Sequence, residues 1–118
     1  MKIKTTIEHS CFGGKLGIYS HHSKACSSEM HFSVYTPPQA TRQQLPVLYY
    51  LSGLTCNHET FMIKSGVQRL ASELGFLIVS PDTSPRVESI KGADDDWDFG
   101  SAASFYLDAT QTPWSSHY

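Results

Sequence analysis

A chain of 118 residues is one domain's worth of protein, and a net charge of −2 with scattered Lys and Arg excludes a polyanion-binding surface, so no nucleic-acid partner is expected. Hydrophobic residues make up 40%, a usual globular share, but charged residues reach only 17%, below the ~25% of an ordinary domain. Such a chain is either well buried or made to be covered by more protein. The three cysteines, Cys11, Cys26 and Cys56, have no C-x-x-C spacing and form neither a disulfide framework nor a zinc site.

The N-terminus lacks the apolar core of a signal peptide, and no apolar run approaches the ~18 residues of a membrane span. A reduced, cytoplasmic, non-membrane protein is expected. Residues Lys2 to His9 alternate loosely, with Ile3, Thr5 and Ile7 on one face, which predicts a half-exposed strand. A turn at Gly13-Gly14, a short strand over Leu16 to Tyr19 and a loop follow. Met30, Phe32 and Val34 then alternate with His31, Ser33 and Tyr35, predicting a strand with one wet face that ends at Pro37-Pro38. Gln39 to Gln44 reads as a loop.

Val47 to Leu51 shows no alternation, and Phe76 to Val79 is a second such run. Strands covered on both faces in a parallel sheet read this way. Between them, Ser65 and Gln68 fit a capping box, Val67, Leu70, Ala71 and Leu74 share one helix face, and Gly75 stands where a left-handed C′ residue is expected. Strand, helix, strand in this order predicts a βαβ unit with parallel strands. Asp82 to Gly100 holds five aspartates and no long apolar run, so it reads as a loop. Thr112 to Tyr118 looks like a helix about to start, with Ser115 or Ser116 as its N-cap.

The chemistry concentrates in Leu51-Ser52-Gly53-Leu54-Thr55-Cys56-Asn57-His58. An apolar strand opening into a small-residue turn before a helical segment gathers backbone N–H groups, which suits a developing oxyanion. Ligands in open α/β sheets sit beyond the carboxyl ends of the strands, where this loop and the loop after Val79 both lie. A nucleophile is harder to find. There is no G-x-S-x-G, and Tyr50 occupies the glycine position two residues before Ser52, so Ser52-Gly53 is not a nucleophile elbow. Cys56 near a helix start could be reactive, and His58 could be its base, but two residues apart in a turn the side chains need not meet. A small thiol shaping the turn is the plainer reading. Asp94, Asp96 and Asp98 open like a calcium loop, but Phe99 and Phe105 stand where Gly and Glu are required. His21-His22 has no second pair at ligand spacing, so no metal is expected. Trp97 and Phe99 either pin their polar loop to the core or wall a pocket.

These residues resemble one family. Ser10-Cys11-Phe12-Gly13-Gly14, Val34-Tyr35-Thr36-Pro37-Pro38, Tyr50 to Cys56, Lys64-Ser65-Gly66, Pro81-Asp82-Thr83-Ser84-Pro85-Arg86, Ile90-Lys91-Gly92, Trp97-Asp98-Phe99-Gly100 and Phe105 to Thr110 are collinear with S-formylglutathione hydrolase, or esterase D. The resemblance implies an α/β-hydrolase fold: antiparallel N-terminal strands, then the βαβ unit, with residues 1–118 as the N-terminal part of a single domain. It implies a cytoplasmic serine esterase of formaldehyde detoxification that cleaves S-formylglutathione with a Ser-Asp-His triad and no cofactor. Residue by residue, it makes Leu54 the oxyanion-hole donor, with Ser52, Gly53, Thr55, Cys56 and Trp97 close to the active site. Cys56 corresponds to a cysteine beside the chemistry rather than in it.

Members of that family are more than twice this length, and no residue here corresponds to their catalytic serine, acid or histidine. Val87 also departs, since many relatives have glycine there. In the family's strand order, Val47–Leu51 lies between the Phe76–Val79 strand and the serine strand, so an open apolar edge is expected. The chain alone is expected to be inactive. A general carboxylesterase and a non-catalytic interaction module are the alternatives. A homo-oligomer and a complementing C-terminal fragment both stay open as partners. Lys64, Arg86 and Lys91 read as surface charge in preference to contacts with glutathione carboxylates.

Overall fold

The computed structural model describes residues 2–86, 90–103 and 108–118. Val87, and Phe105 to Leu107 of the matched string, lie outside the described residues. Five strands form one mixed sheet: β1 (Ile3–Cys11), β2 (Gly14–Ser23), β3 (Ser28–Thr36), β4 (Val47–Tyr49) and β5 (Leu77–Pro81), in the spatial order β1-β2-β3-β5-β4. β1, β2, β3 and β5 pair antiparallel, while β4 runs parallel to β5 with Val47 opposite Leu77 and Tyr49 opposite Val79. The helices α1 (Thr60–Lys64) and α2 (Val67–Leu74) connect β4 to β5. The expected parallel βαβ unit is therefore present.

The first hairpin turns at Phe12-Gly13, both with positive φ, at 44° and 73°. This is the two-residue geometry whose twist matches the flanking strands. Gly14 must be glycine for a different reason: a Cβ there would run into the Thr36 carbonyl and lie 2.9 Å from the Pro37 Cα. β2 extends well beyond the expected Leu16–Tyr19. Its polar residues gain cross-strand partners, with Glu8 accepting from Lys15 at 2.8 Å and from Tyr19 at 2.7 Å. β1 is exposed almost throughout rather than on one face, and a register shift between Thr5 and Ile7 interrupts its alternation.

Three faces differ from expectation. On β3, Ser33 and Tyr35 are buried, so the residues read as wet point into the core. Tyr35 can be buried because its hydroxyl donates to the Cys11 and Phe12 carbonyls at 3.3 and 3.4 Å. On α2, Ala71 and Gln68 are buried, whereas Leu70 and Leu74 are exposed, Leu74 by 61%. The capping box does not form: Ser65 lies one residue before the N-cap, its Oγ accepts the Val67 N–H at 3.1 Å and not that of Gln68, and Gln68 Nε2 donates to the Met62 carbonyl instead of turning back. Gly66 takes the N-cap position in the left-handed region, and Gly75 is left-handed as expected. β4 is covered on neither face. Val47, Leu48, Tyr49 (68%), Tyr50 and Leu51 are all exposed, and β4 pairs only with β5 among the described residues.

The core is accordingly small: Tyr35, Met62, Ala71 and Ile78, with Cys11, Leu16, Phe61, Val67 and Phe76 packed against it. The Cα radius of gyration is 15.6 Å, against about 13.5 Å for a self-contained domain of this length. Pro38–Thr41 forms a 3-10 turn within the expected loop, and Trp114–Ser116 forms another where a helix start was read. No helix among the described residues is long and apolar enough to cross a membrane.

Candidate active site

The loop after β4 is fixed at both ends. The Tyr50 N–H continues the parallel ladder to the Val79 carbonyl at 2.8 Å, and the Tyr50 ring stacks on Phe61 with centroids 3.7 Å apart. Ser52 is buried, its Oγ donates to the Asn57 carbonyl at 3.2 Å, and its carbonyl accepts from Thr83 Oγ1 at 3.3 Å. Asn57 Oδ1 accepts from the Glu59 and Thr60 N–H groups at 3.0 and 3.1 Å and so caps the start of α1. Between these anchors, the Cys56 N–H closes a turn onto the Gly53 carbonyl at 3.1 Å.

Thr55, at the third position of that turn, has φ of 64°. A type II turn requires this sign and usually places glycine there. In a β-branched residue it costs about 1–3 kcal/mol. The conformation is held by a 2.8 Å hydrogen bond from the Thr55 N–H to the Ala102 carbonyl, itself in a residue with φ of 63° and with its N–H bonded to Ser84 Oγ at 2.8 Å. Within the turn the Thr55 and Cys56 amides are both bonded, whereas that of Leu54 has no acceptor among the described residues. Beside the turn lies a cleft of about 290 Å³ lined by Tyr50, Ser52, Gly53, Cys56, Phe61 and Lys64, among others.

The structure thus brings Ser52, Gly53 and Cys56 together at one cleft, with Leu54 and Thr55 in the adjoining turn. Trp97 is 71% exposed and is not among the residues lining that cleft. Lys64 reaches the cleft, Lys91 is exposed, and Arg86 is engaged within the protein.

Sequence reasoning missed a charged cluster beneath the loop. Asp82 follows β5 directly, and its side chain is 3% exposed. Arg86 donates to its two oxygens from Nε at 2.7 Å and Nη2 at 3.3 Å. His58 Nδ1 stands 3.7 Å from Asp82 Oδ2, an ion-pair distance and not a hydrogen bond, and its ring stacks on His31 with centroids 5.4 Å apart. The available signal was the i, i+4 spacing of Asp82 and Arg86 at the carboxyl end of an apolar strand. His58 therefore faces a carboxylate and a second imidazole, and no hydrogen bond joins it to Cys56 among the described residues.

Burial pushes the Asp82 carboxyl up, but His58 and Arg86 beside it outweigh burial and hold it below the ordinary aspartate value. A carboxyl depressed in the folded state contributes stability above its unfolded pKa of about 3.9 and loses it as pH falls through the folded value. Asp82→Asn should therefore cost the full-length protein about 2 kcal/mol at neutral pH and flatten its acid limb below about pH 4. Thermal midpoints of wild type and variant that run parallel through that limb would contradict this assignment.

Antiparallel strands leading into a parallel βαβ unit, with a strained amide-bearing turn at the carboxyl end of β4, define the N-terminal part of an α/β-hydrolase sheet. A family model described as "Putative esterase" matches residues 23–118, and the chain belongs to that family. It is 48% identical to the S-formylglutathione hydrolase of Mus musculus and 47% identical to that of Rattus norvegicus, over all 118 residues here. The chain spans 42% of the length of these curated relatives. Among solved structures, an S-formylglutathione hydrolase from Agrobacterium tumefaciens superposes with a TM-score of 0.91 at 48% identity, covering 96% of this chain and 41% of that one. A ferulic acid esterase, 20% identical with a TM-score of 0.56 over 67% of this chain and 34% of its own, shares the fold alone.

Proposed function

We propose that residues 1–118 supply the N-terminal part of a single α/β-hydrolase domain, and that the full-length protein is a cytoplasmic S-formylglutathione hydrolase. The observation that carries this reading is the Gly53–Cys56 turn. Among the described residues it leaves the Leu54 amide without an acceptor at the carboxyl end of β4, in a chain 48% identical to hydrolases of that name. In the proposed reaction a serine Oγ from the remainder of the protein attacks the formyl carbon and gives up its proton to histidine. The carbonyl oxygen becomes an oxyanion held by the Leu54 N–H and by the amide after the serine. Collapse breaks the C–S bond, histidine protonates the departing glutathione sulfur, and water then releases formate from the serine ester. The side chains need no cofactor for these steps. Ser52 and Gly53 shape the donor turn, Thr55 fixes its strained corner, and Cys56 walls the cleft. Trp97 would reach the site only where further chain covers it.

The test is to read the coding frame past Tyr118 and express the full-length protein. A G-x-S-x-G elbow, with turnover of S-formylglutathione exceeding that of acetyl esters by about 100-fold in kcat/KM, is the expected result. Equal turnover of both would favour a general carboxylesterase. A continuation without the elbow would leave a non-catalytic interaction module.

A further inference from the structure

The segment from Asp82 to Arg86 passes against the oxyanion loop and ties it down on both sides of its turn. Thr83 Oγ1 holds the Ser52 carbonyl on one side. On the other side, Arg86 Nη2 donates to the Cys56 carbonyl at 2.8 Å while the same guanidinium grips Asp82. Asp82 is itself anchored: its carboxylate is almost wholly buried, and its N–H donates to the His31 carbonyl of β3 at 2.8 Å. The fork of Arg86 therefore transmits the position of the central sheet to the residue that closes the turn. A guanidinium does this well because its donors are fixed in one plane. Two further bonds hold the turn in its strained form, Thr55 to Ala102 and Cys56 to Gly53.

We propose that Arg86 is a positioning residue for the oxyanion hole, setting the Leu54 amide through the Cys56 carbonyl rather than meeting substrate. This rests on the oxyanion role given to Leu54 above. A donor displaced by about 1 Å loses up to 100-fold in rate, and losing a donor outright costs about 100- to 1,000-fold. The arginine side chain is 38% exposed, and its removal leaves the buried Asp82 carboxylate with His58 alone beside it, so the lysine variant, which keeps the charge, accompanies the methionine one.

The experiment compares wild type, Arg86→Lys and Arg86→Met in the full-length protein. In Arg86→Met, kcat for S-formylglutathione should fall about 30- to 100-fold with KM within about twofold. Amide exchange at Thr55 should quicken at least about tenfold as the turn loosens. Arg86→Lys should fall between, since one ammonium cannot keep both the two-point grip on Asp82 and the Cys56 bond. A kcat within about threefold of wild type would overturn the proposal, and so would a rise in KM at constant kcat, which would mean direct contact with the glutathione moiety. Should Arg86→Met fail to fold, the lysine variant carries the same two readouts. If wild type itself shows no turnover, the hydrolase reading fails, and unchanged Thr55 exchange in the variants would sink the tether independently.

Discussion

The 118-residue chain by itself will release no product from an activated acetyl ester above the buffer rate. A serine hydrolase stripped of its nucleophile loses about 10⁶ in kcat, and what survives comes from an oxyanion hole and a binding cleft acting on water. Of the hole we propose, this chain supplies one amide, that of Leu54, which has no acceptor among the described residues and lies beside a cleft open to solvent. The sole rival is Cys56 with His58 as base. That pairing needs the imidazole within hydrogen-bond reach of the thiol, and the structure turns His58 toward Asp82 and His31 instead. Stopped-flow assay with p-nitrophenyl acetate, followed by mass measurement of the protein, checks this. A burst of one equivalent with an acetyl group trapped on Cys56 would revive the thiol mechanism.

The sequence made the order of elements readable because strand, turn and cap signals are local. The βαβ unit was legible from two unbroken apolar runs around a helix read as bounded by Ser65 and Gly75; the Gly75 boundary formed as read, while the N-cap fell one residue later, at Gly66. Faces were less legible because they depend on what lies opposite. Tyr35 counted as polar from its hydroxyl, but the bend of the first hairpin brings two carbonyls to that hydroxyl and lets the ring enter the core. Val67, Leu70, Ala71 and Leu74 were read as one helix face, yet of these Ala71 and Val67 pack into the core while Leu70 and Leu74 are exposed. The turn at Gly53–Cys56 was visible as a cluster of small residues, whereas its positive φ at Thr55 was not, since nothing local favours threonine there. The bond that holds it there comes from the carbonyl of Ala102, far along the chain. The Asp82–Arg86–Cys56 tether escaped for the same reason, because a side chain that crosses loops leaves no periodic trace.

Those exposed leucines belong to the second large effect, the association of the isolated chain. Among the described residues β4 presents an unpaired edge, with Val47 to Leu51 all exposed and Leu54, Ile63, Leu70 and Leu74 exposed as well. No Lys, Arg, Asp or Glu occurs between Arg42 and Glu59, so none of the charges that ordinarily guard a strand edge is present. Short, uncharged, apolar segments of this kind pair readily with copies of themselves. The small core of Tyr35, Met62, Ala71 and Ile78 offers little stability against that pull. The purified chain should therefore elute mostly as aggregate, bind an apolar dye and melt over a broad range. Leu48→Lys should raise its monomeric fraction several-fold by charging the edge. In the full-length protein, where we place the serine strand against β4, the same substitution should instead destabilise by about 3 kcal/mol or more, because it buries an unpaired ammonium. The opposite signs are diagnostic, since a surface that is merely sticky would improve in both settings. A monomer that melts sharply and reversibly would show that β4 needs no neighbour.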